Sequence, residues 1–442
     1  MAQVSLESPS NNILRKTYSF CPVCMEQVEA FIVDRNNTVY LEKTCNQHGN
    51  FSILICEDAK EYSQLQDFYF NIVPQKLPQA EYYLHVTNSC NISCPVCFLD
   101  FSENGRELPL DSVRNLVLKK GVKRVTFSHS EATTCESLPE MVKMLRRSGK
   151  IVNIHTNGIR LADSNYVSSL KSAGIHHISL QFDGFNDKTY IKLRGGEFLN
   201  TKLKALDNLR KLSIPVTLNV TIARGVNEDQ VGTIFDFALK ERFIKDISFI
   251  TYSNYERDGD NMDKYIMPSQ LLKNVEEHSQ GKISRKAIYL FQKVFYAYCS
   301  AFNKRKCFYY YHYLVLRGVN GYTGVDEILD LERACRALDH LKEDGLRINR
   351  IRFLAILIGS LRVKSLLLFP SSLAMLFRGG FPRKPGRLLV LTFATICDPY
   401  KYDSQIAVNC GQGIFGLEDS HESYGTFLMK DYKRRRHENS LC

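Results

Sequence analysis

The feature that most constrains the fold is a regular alternation of short β-rich runs and amphipathic helical runs between residues 82 and 251. The predicted strands are residues 82–86, 122–127, 151–155, 177–182, 216–222 and 247–251. The predicted helices between them are residues 110–119, 138–148, 165–173, 199–212 and 229–240. Such alternation builds an α/β fold, in which a parallel sheet is covered by helices. The catalytic groups of such barrels follow the carboxyl ends of the strands, so those segments are the candidate site.

The chain divides into three parts by residue pattern. Its 442 residues exceed one average domain, and a hydrophobic content of 44% supports a sizeable core. Residues 1–75 carry a short cysteine module, residues 76–270 carry the alternating units, and residues 271–442 are basic, aromatic and mainly helical. We therefore predict a metal module, a core barrel and a C-terminal substrate domain.

The 14 cysteines are clustered, and residues 1–16 contain no apolar core of a secretory signal. We therefore expect a cytoplasmic protein, in which clustered cysteines bind metals rather than form disulfides. The most apolar segment, residues 353–377, is interrupted by Arg362 and Lys364, which is not typical of a transmembrane helix. A net charge of +11 is compatible with nucleic acid, anionic lipid or an acidic substrate, and is also typical of an ordinary solvated surface.

Three cysteines follow the first predicted strand. Cys90, Cys94 and Cys97 lie on one loop, where three thiolates can ligate three irons of a 4Fe–4S cluster. The fourth iron then remains open to chelate the amino and carboxylate groups of a methionine-like cofactor. A zinc knuckle or a set of buried thiols is the alternative, and the position after the first strand of a β/α unit favours the cluster.

Polar side chains also follow the next strands. Asn157 follows the third strand and is suited to hydrogen bonds with a ribose or a carboxylate. Gln181 lies at the end of the fourth strand, and Asp183 follows it directly. Arg194 is suited to bind a cofactor carboxylate with its planar fork, or equally to form a surface ion pair.

The spacing of the cysteine triplet resembles that of the radical S-adenosylmethionine (radical SAM) superfamily. The resemblance implies a partial (β/α)6 barrel, a 4Fe–4S cluster on Cys90, Cys94 and Cys97, and cleavage of S-adenosylmethionine to a 5′-deoxyadenosyl radical. It also implies a reductant such as ferredoxin or flavodoxin. The family usually has an aromatic residue before the third cysteine, whereas this chain has Val96 before Cys97 and Phe98 after it.

The loop after the second strand matches the family only in part. The family has a Gly-Gly-Glu-Pro-Thr segment there, which binds the amino group of the cofactor. Glu131 and Thr133 match that segment, while His129, Ser130 and Ala132 replace the glycines and the proline. A plain strand-to-helix turn is the alternative. The segment with Gln181 and Asp183 resembles the family's ribose-facing strand.

The N-terminal part contains two paired ligand motifs. Cys21 and Cys24 form a Cys-Pro-x-Cys motif, and Cys45 and His48 form a Cys-x-x-His motif. This spacing predicts one tetrahedral zinc ion in a knuckle, or a mononuclear rubredoxin-like iron. Cys56 is a spare ligand candidate.

The C-terminal part contains six further cysteines. Cys299, Cys307, Cys397 and Cys410 are predicted to bind an auxiliary 4Fe–4S cluster, with Cys335 and Cys442 as further candidates. Buried free thiols are the alternative.

The motif layout looks like the branch that contains the tetraether lipid synthase and the dihydropterin-methylating radical SAM proteins. The first hypothesis is therefore functionalisation of an unactivated C–H bond, such as carbon–carbon coupling in a lipid chain. Residues 348–377 are apolar with interspersed arginines, which is typical of peripheral membrane contact, of a tunnel for an acyl chain or of ordinary core helices. The second hypothesis is methylation or maturation of a small molecule or a peptide.

A non-enzymatic iron–sulfur or zinc protein is the third hypothesis. The basic tail that contains Lys433, Arg434, Arg435 and Arg436 would then bind RNA. The polar groups at the strand ends disfavour this role, because a binding module needs no set of side chains that hold a cofactor. Nucleic acid is therefore not the expected partner.

Overall fold

The N-terminal module is a four-stranded antiparallel sheet followed by one helix. The computed structural model describes residues 12–74, 81–99, 105–119, 122–255, 262–319, 321–362, 386–410, 412–416 and 424–439. The strands pair in chain order and are β1 Ile13–Phe20, β2 Gln27–Arg35, β3 Thr38–Cys45 and β4 Gly49–Cys56. Helix α1, Ala59–Ile72, begins after Asp58, whose side chain accepts a hydrogen bond from the Glu61 amide at 3.0 Å.

A ten-stranded sheet forms the body of the protein. Its strands in chain order are β5 Glu81–His85, β6 Arg124–Phe127, β7 Ile151–Thr156, β8 His177–Gln181, β9 Val216–Ile222, β10 Ile244–Thr251, β11 Tyr310–Arg317, β12 Tyr322–Gly324, β13 Leu388–Thr395 and β14 Gln412–Gly416. The spatial order is β12-β11-β13-β10-β9-β8-β7-β6-β5-β14. Strands β5 to β10 are parallel neighbours, as the sequence predicts. The partial (β/α)6 barrel is therefore confirmed.

Helices join and cover the strands of this sheet. In the barrel they are α2 Leu110–Lys119, α3 Leu138–Arg147, α4 Ser164–Ala173, α5 Asp187–Arg194, α6 Leu199–Lys211 and α7 Gln230–Lys240. In the C-terminal part they are α8 Pro268–His278, α9 Arg285–Ala301, α10 Val325–Ile328, α11 Leu331–Glu343, α12 Arg350–Gly359, α13 Ser404–Ala407 and α14 Tyr424–Asn439. The predicted helices match α2, α3, α4, α6 and α7 within a residue or two at each end.

The helical C-terminal region also extends the barrel sheet at both edges. Strand β13 pairs in parallel with β10, β11 pairs antiparallel with β13, and β14 pairs in parallel with β5. Strand β13 is a nearly continuous buried run, which has the apolar pattern of a central strand covered on both faces. The boundary that we predict at residue 270 stays a prediction, and the sheet crosses it without interruption.

A buried hydrogen-bond network attaches the N-terminal module to the barrel. Asp403 accepts hydrogen bonds from the Arg15 guanidinium and, at 2.7 Å, from the Thr17 hydroxyl. From strand β3, the Lys43 ammonium donates to the carbonyl oxygens of Pro399 and Tyr400 at 2.6 and 2.8 Å. Burial lowers the pKa of Lys43 to about 7, against the charges of Asp398 and Cys21. The segment of residues 398–403 therefore joins the module to the barrel.

Among the helices of the described ranges, none combines the length and apolar character that crossing a bilayer requires. The predicted amphipathic segment of residues 348–377 begins with α12, and its residues 363–377 lie outside the described ranges. At the basic tail, Lys433 pairs with Glu26 of the N-terminal module at 3.2 Å, and Arg434 pairs with Asp431 at 2.7 Å.

Candidate active site

The cysteine loop opens onto a cavity of about 910 Å³ inside the barrel, and Cys90, Cys94 and Cys97 all line it. The Cys97 amide donates to the Cys94 carbonyl at 3.2 Å, which folds the loop into a turn. Burial raises the pKa of Cys90 to about 12, and the charges of Glu131, Cys94 and Cys97 add to the shift. Because such a thiol is protonated at neutral pH, a metal is needed to hold this site as thiolates. The donor set fits a cluster with one open iron.

The loop after β6 adopts the backbone conformation that glycine favours, although it lacks glycine. His129 has φ of 73° and Ser130 has φ of 47°, both in the left-handed region. The Glu131 amide donates to the Ser89 carbonyl at 2.9 Å, which ties this loop to the cysteine loop. His129 and Ser130 therefore hold this conformation at a cost in backbone strain, and the similarity of the loop to the family segment stays a prediction.

Glu131 holds the ends of two strands together. Its Oε1 accepts hydrogen bonds from the hydroxyls of Thr133 and Thr156 at 2.5 and 2.7 Å. Its Oε2 accepts from the Asn157 amide at 2.6 Å. Glu131 lines the cavity, and Thr133 is buried behind it. Direct cofactor contacts of both residues stay a prediction; the observed role of Thr133 is to orient Glu131.

Asn157 lies between the end of β7 and the cysteine loop. Its Nδ2 donates to the Asn91 side chain at 2.7 Å and approaches the Cys90 sulfur at 3.9 Å. Its Oδ1 accepts from the Ile159 amide at 3.0 Å. The side chain is therefore fixed beside the first cysteine.

Arg194 and Asp183 form a buried ion pair rather than a surface pair. Arg194 donates from Nε and Nη2 to the two carboxylate oxygens at 2.6 and 3.0 Å, and from Nη2 to the Thr221 hydroxyl at 2.8 Å. Asp183 is fully buried. Burial opposes the charge on Arg194, but Asp183 and the neighbouring Cys94 thiol outweigh it and raise its pKa. Asp183 thus orients the guanidinium, and Arg194 faces the cavity beside Cys94.

Lys202 on α6 is a site residue that the sequence analysis missed. It is fully buried, and its ammonium donates to the Asn157 carbonyl and, at 2.6 Å, to Gln181 Oε1. Burial lowers its pKa to about 8, against the charges of Asp183 and Glu131. The lysine connects the ends of β7 and β8 by these hydrogen bonds. Its local sequence does not differ from that of an exposed lysine, and only the packing of α6 against the barrel shows that it is buried.

Polar side chains line the inside of the barrel below the cysteines. Alternate residues of the strands point inward, and the strand register arranges them in layers. By that register, Thr217 and Asp246 lie level with His155 and Ser179, while Asn153 and His177 lie one layer below and Asn219, Ser248, Thr392 and His312 lie one layer above. Barrel interiors are usually packed with branched aliphatic residues, so a polar interior around a cavity indicates a ligand.

The other wall of the cavity is apolar. It comes from the C-terminal helices and from β11 and β13, and it includes Phe291, Val294, Ile328, Phe353, Leu357 and Val390. The cavity therefore has a polar side formed by the barrel and an apolar side formed by the C-terminal region.

The N-terminal module brings the four predicted metal ligands together. Cys24 and Cys45 have sulfurs 3.8 Å apart, and His48 Nδ1 lies 3.7 Å from the Cys21 sulfur and 3.5 Å from that of Cys45. A tetrahedral zinc with Zn–S bonds of about 2.3 Å separates its ligand atoms by about 3.8 Å, so the site fits zinc. Cys56 is not part of it, because its thiol contacts the Tyr289 hydroxyl at 3.7 Å.

The C-terminal cysteines converge in part. The charges of Cys307 and Cys410 add to the burial that raises the pKa of Cys397, so these three thiols are neighbours. Cys299 lies on α9 and lines the cavity. Cys335 on α11 donates to the Leu290 carbonyl, and Cys442 lies outside the described residues. An auxiliary cluster on Cys299, Cys307, Cys397 and Cys410 stays a prediction.

Comparison with known proteins agrees with this geometry. Residues 84–238 match the radical SAM superfamily, and residues 13–57 match the HMPTM N-terminal zinc ribbon domain. The 7,8-dihydro-6-hydroxymethylpterin dimethyltransferase of Methanocaldococcus jannaschii is 29% identical over 307 residues, which cover 62% of this chain and 61% of that protein. A probable GTP 3′,8-cyclase of Pyrococcus abyssi is 25% identical over 37% of this chain and 54% of that protein. The chain thus spans about three fifths or less of these relatives.

Among solved structures, Streptococcus suis SuiB bound to the precursor peptide SuiA has a TM-score of 0.41 and 19% identity over 50% of each chain. The radical SAM family uses a 4Fe–4S cluster and S-adenosylmethionine. This chain contains a radical SAM domain over residues 84–238, preceded by a zinc ribbon domain over residues 13–57.

Proposed function

We propose that this chain methylates, or otherwise functionalises, an unactivated carbon of a small polar heterocycle of the pterin type. The polar interior below the three cysteines carries the proposal, because hydroxyl, amide and imidazole groups suit a hydrogen-bonding heterocycle better than a bare hydrocarbon. The zinc ribbon match and the similarity to a dihydropterin dimethyltransferase support this substrate class.

The residues at the strand ends would hold the cofactors. Cys90, Cys94 and Cys97 would ligate the 4Fe–4S cluster, which supplies an electron to the sulfonium of S-adenosylmethionine when both are bound. Arg194 is oriented by Asp183 and would stabilise the charge of the Cys94 thiolate or of a cofactor carboxylate.

The neighbouring strand ends would receive the remaining polar groups of the cofactor. Glu131 and Asn157 would face its amino and ribose groups from β6 and β7, and Gln181 would do so from β8. Lys202 fixes the positions of Asn157 and Gln181, because its ammonium donates hydrogen bonds to both residues. The apolar wall of the cavity would shield the reacting carbon from water. A ferredoxin or a flavodoxin would supply the electron, and a cytoplasmic location fits that supply.

Anaerobic assays test this function. Reconstituted protein with dithionite and S-adenosylmethionine should release 5′-deoxyadenosine, and with 7,8-dihydro-6-hydroxymethylpterin it should form a methylated pterin that mass spectrometry detects. In that assay excess S-adenosylmethionine would supply both the radical that removes the hydrogen and the methyl group that replaces it, and dithionite would supply the electrons. A variant with Cys90, Cys94 and Cys97 changed to alanine should do neither. Release of no 5′-deoxyadenosine by the wild-type protein would overturn the radical SAM assignment of the reaction. Release without any pterin product would overturn the substrate.

The auxiliary cluster is part of the same proposal. Cys307, Cys397 and Cys410 would supply three ligands, with Cys299 as the fourth. The variant without the cysteine triplet should lose four irons per chain and retain further iron. If this variant retained no iron, apart from any iron bound in the N-terminal module, a second cluster would be excluded.

A lipid chain is the second candidate substrate. The apolar side of the cavity, which includes Val294, Ile328 and Leu357, favours a lipid chain. The names of the similar proteins do not point to a lipid substrate. Lipid extracts of cells with and without the gene decide between the candidates. Unchanged lipids would exclude this second substrate.

A further inference from the structure

Asp246 on β10 is an acidic side chain inside the barrel that the cofactor site does not use. It lines the cavity level with His155 and Ser179, four residues and about 13 Å along the strand below Ile250. The chemistry of the strand ends takes place above it. The side chain therefore faces the space in which a substrate would lie beneath the cofactor.

The hydrogen bonds of Asp246 are incomplete within the described part of the chain. Its Oδ2 accepts one long hydrogen bond, from the Thr392 hydroxyl at 3.3 Å, and its buried Oδ1 has no partner there. A buried carboxylate oxygen without a partner is costly, so such a group usually marks a binding site or an unseen water. Burial raises the pKa of Asp246 to about 7, and the charge of Lys306 opposes the shift.

The neighbouring strands add a second group of the same kind. His312 on β11 shares the Thr392 hydroxyl, with its Nδ1 at 3.2 Å, and its Nε2 has no partner among the described residues. Burial and the charge of Lys306 lower its pKa, so the ring is neutral. Asp246 in its ionised form and His312 thus present a two-oxygen acceptor and a neutral imidazole to one cavity.

The geometry points to Asp246 as the residue that recognises the substrate, by accepting two hydrogen bonds from the ring N–H and the exocyclic amino group of a 2-amino-4-oxopyrimidine edge. This inference rests on the proposed function and adds the substrate contact that gives it specificity. Two parallel N–H donors match the two oxygens of a carboxylate, as in an arginine–carboxylate fork. Pterins and guanine nucleotides share this edge, so the ligand chemistry is common to both sources.

Equilibrium binding without reductant tests the inference apart from catalysis. The probes are 6-hydroxymethyl-7,8-dihydropterin and the matching lumazine, in which an oxo group replaces the amino group. The reconstituted wild-type protein with bound S-adenosylmethionine should bind the pterin at least about tenfold more tightly, because the lumazine leaves one carboxylate oxygen without a donor. GTP is the third probe and distinguishes a guanine nucleotide from a pterin as the natural source of the edge.

The variant Asp246→Asn replaces one acceptor oxygen by a donor and keeps the shape of the side chain. It should weaken pterin binding by about tenfold or more and leave lumazine binding within about threefold, so that the preference disappears. Asp207→Asn is the matched control, since Asp207 is a half-exposed aspartate on the outer face of α6. Thermal unfolding of both variants shows whether the fold is intact.

The outcomes separate the two proposals. Equal binding of pterin and lumazine by the wild-type protein, or unchanged preference in Asp246→Asn, overturns the role of Asp246 even if a methylated pterin forms. A preference that depends on Asp246 without methylated product supports the recognition and overturns the reaction. Binding of none of the three probes by the wild-type protein overturns both.

Discussion

Arg194 donates two parallel hydrogen bonds to Asp183, and the same guanidinium lies against the Cys94 thiol. Asp183 also accepts from the Thr221 amide at 3.0 Å, so its carboxylate is fixed both by helix α5 and by strand β9. A cation that is oriented in this way, in a buried place, stabilises a neighbouring thiolate without rearrangement. The cysteine loop is thus supported by a residue that lies about 100 positions further along the sequence.

Removing the Arg194 charge should destabilise both the fold and the cluster. Arg194→Gln leaves Asp183 buried without its partner, which costs about 3–5 kcal/mol, and it should lower the iron content of the reconstituted protein. The matched control Arg210→Gln breaks a half-exposed pair with Glu241 and should cost less than about 1 kcal/mol. Thermal unfolding and iron analysis provide the measurements. Full iron content in Arg194→Gln would contradict the role assigned to the pair.

Asp403 should control how firmly the zinc ribbon is attached to the barrel. Asp403→Ala leaves the Arg15 guanidinium without its buried carboxylate, at a cost of about 3–5 kcal/mol, and hydrogen exchange in β1 should accelerate. Glu29→Gln removes only an exposed pair with Lys16 and should leave the exchange unchanged. If β1 exchanges at the wild-type rate in Asp403→Ala, the proposed attachment is incorrect.

The zinc site should be independent of the iron content. Cys24→Ala removes one of the four ligands, so the protein should lose its zinc while it keeps the iron of the barrel. Cys56→Ala is the control, because Cys56 lies beside Tyr289 and outside the ligand set. Metal analysis of both variants after anaerobic reconstitution decides the matter. Iron instead of zinc in the wild-type ribbon would favour the rubredoxin-like alternative.

Lys202 should make stability depend on pH in the alkaline range. Its pKa is lowered to about 8 by burial, while in the unfolded chain it returns to 10.5. The unfolded chain therefore binds more protons between these values, and the stability of the wild-type protein rises with pH from about 8 to 10.5. The gain is about 3 kcal/mol relative to Lys202→Met, which lacks the titrating group.

Thermal unfolding of the wild-type protein and Lys202→Met at several pH values measures this difference. The exposed control Lys211→Met should show the pH dependence of the wild-type protein. A constant difference between the wild-type protein and Lys202→Met from pH 8 to 10.5 would show that Lys202 does not titrate in this range.

Several parts of the structure were predictable because they depend on local pattern. Strands β5 to β10 follow from runs of β-branched, aromatic and other apolar residues between amphipathic helices, and β9 has the predicted limits. Strand β13 was missed because it is apolar at nearly every position and follows a basic segment, so it lacks the alternation typical of a strand. Lys202 was missed because one lysine on an amphipathic helix has the same local pattern whether it faces water or the barrel.

The sequence by itself determined the ligand motifs and the class of fold, since cysteine spacing and hydrophobic periodicity are properties of neighbouring residues. Only the tertiary structure decided which distant groups meet. It paired Arg194 with Asp183 in a buried site, placed Asp403 against Arg15 of the ribbon, and directed Asp246 into a polar cavity. These relationships depend on strand order, register and burial, because side chains far apart in the chain become neighbours only when the sheet forms.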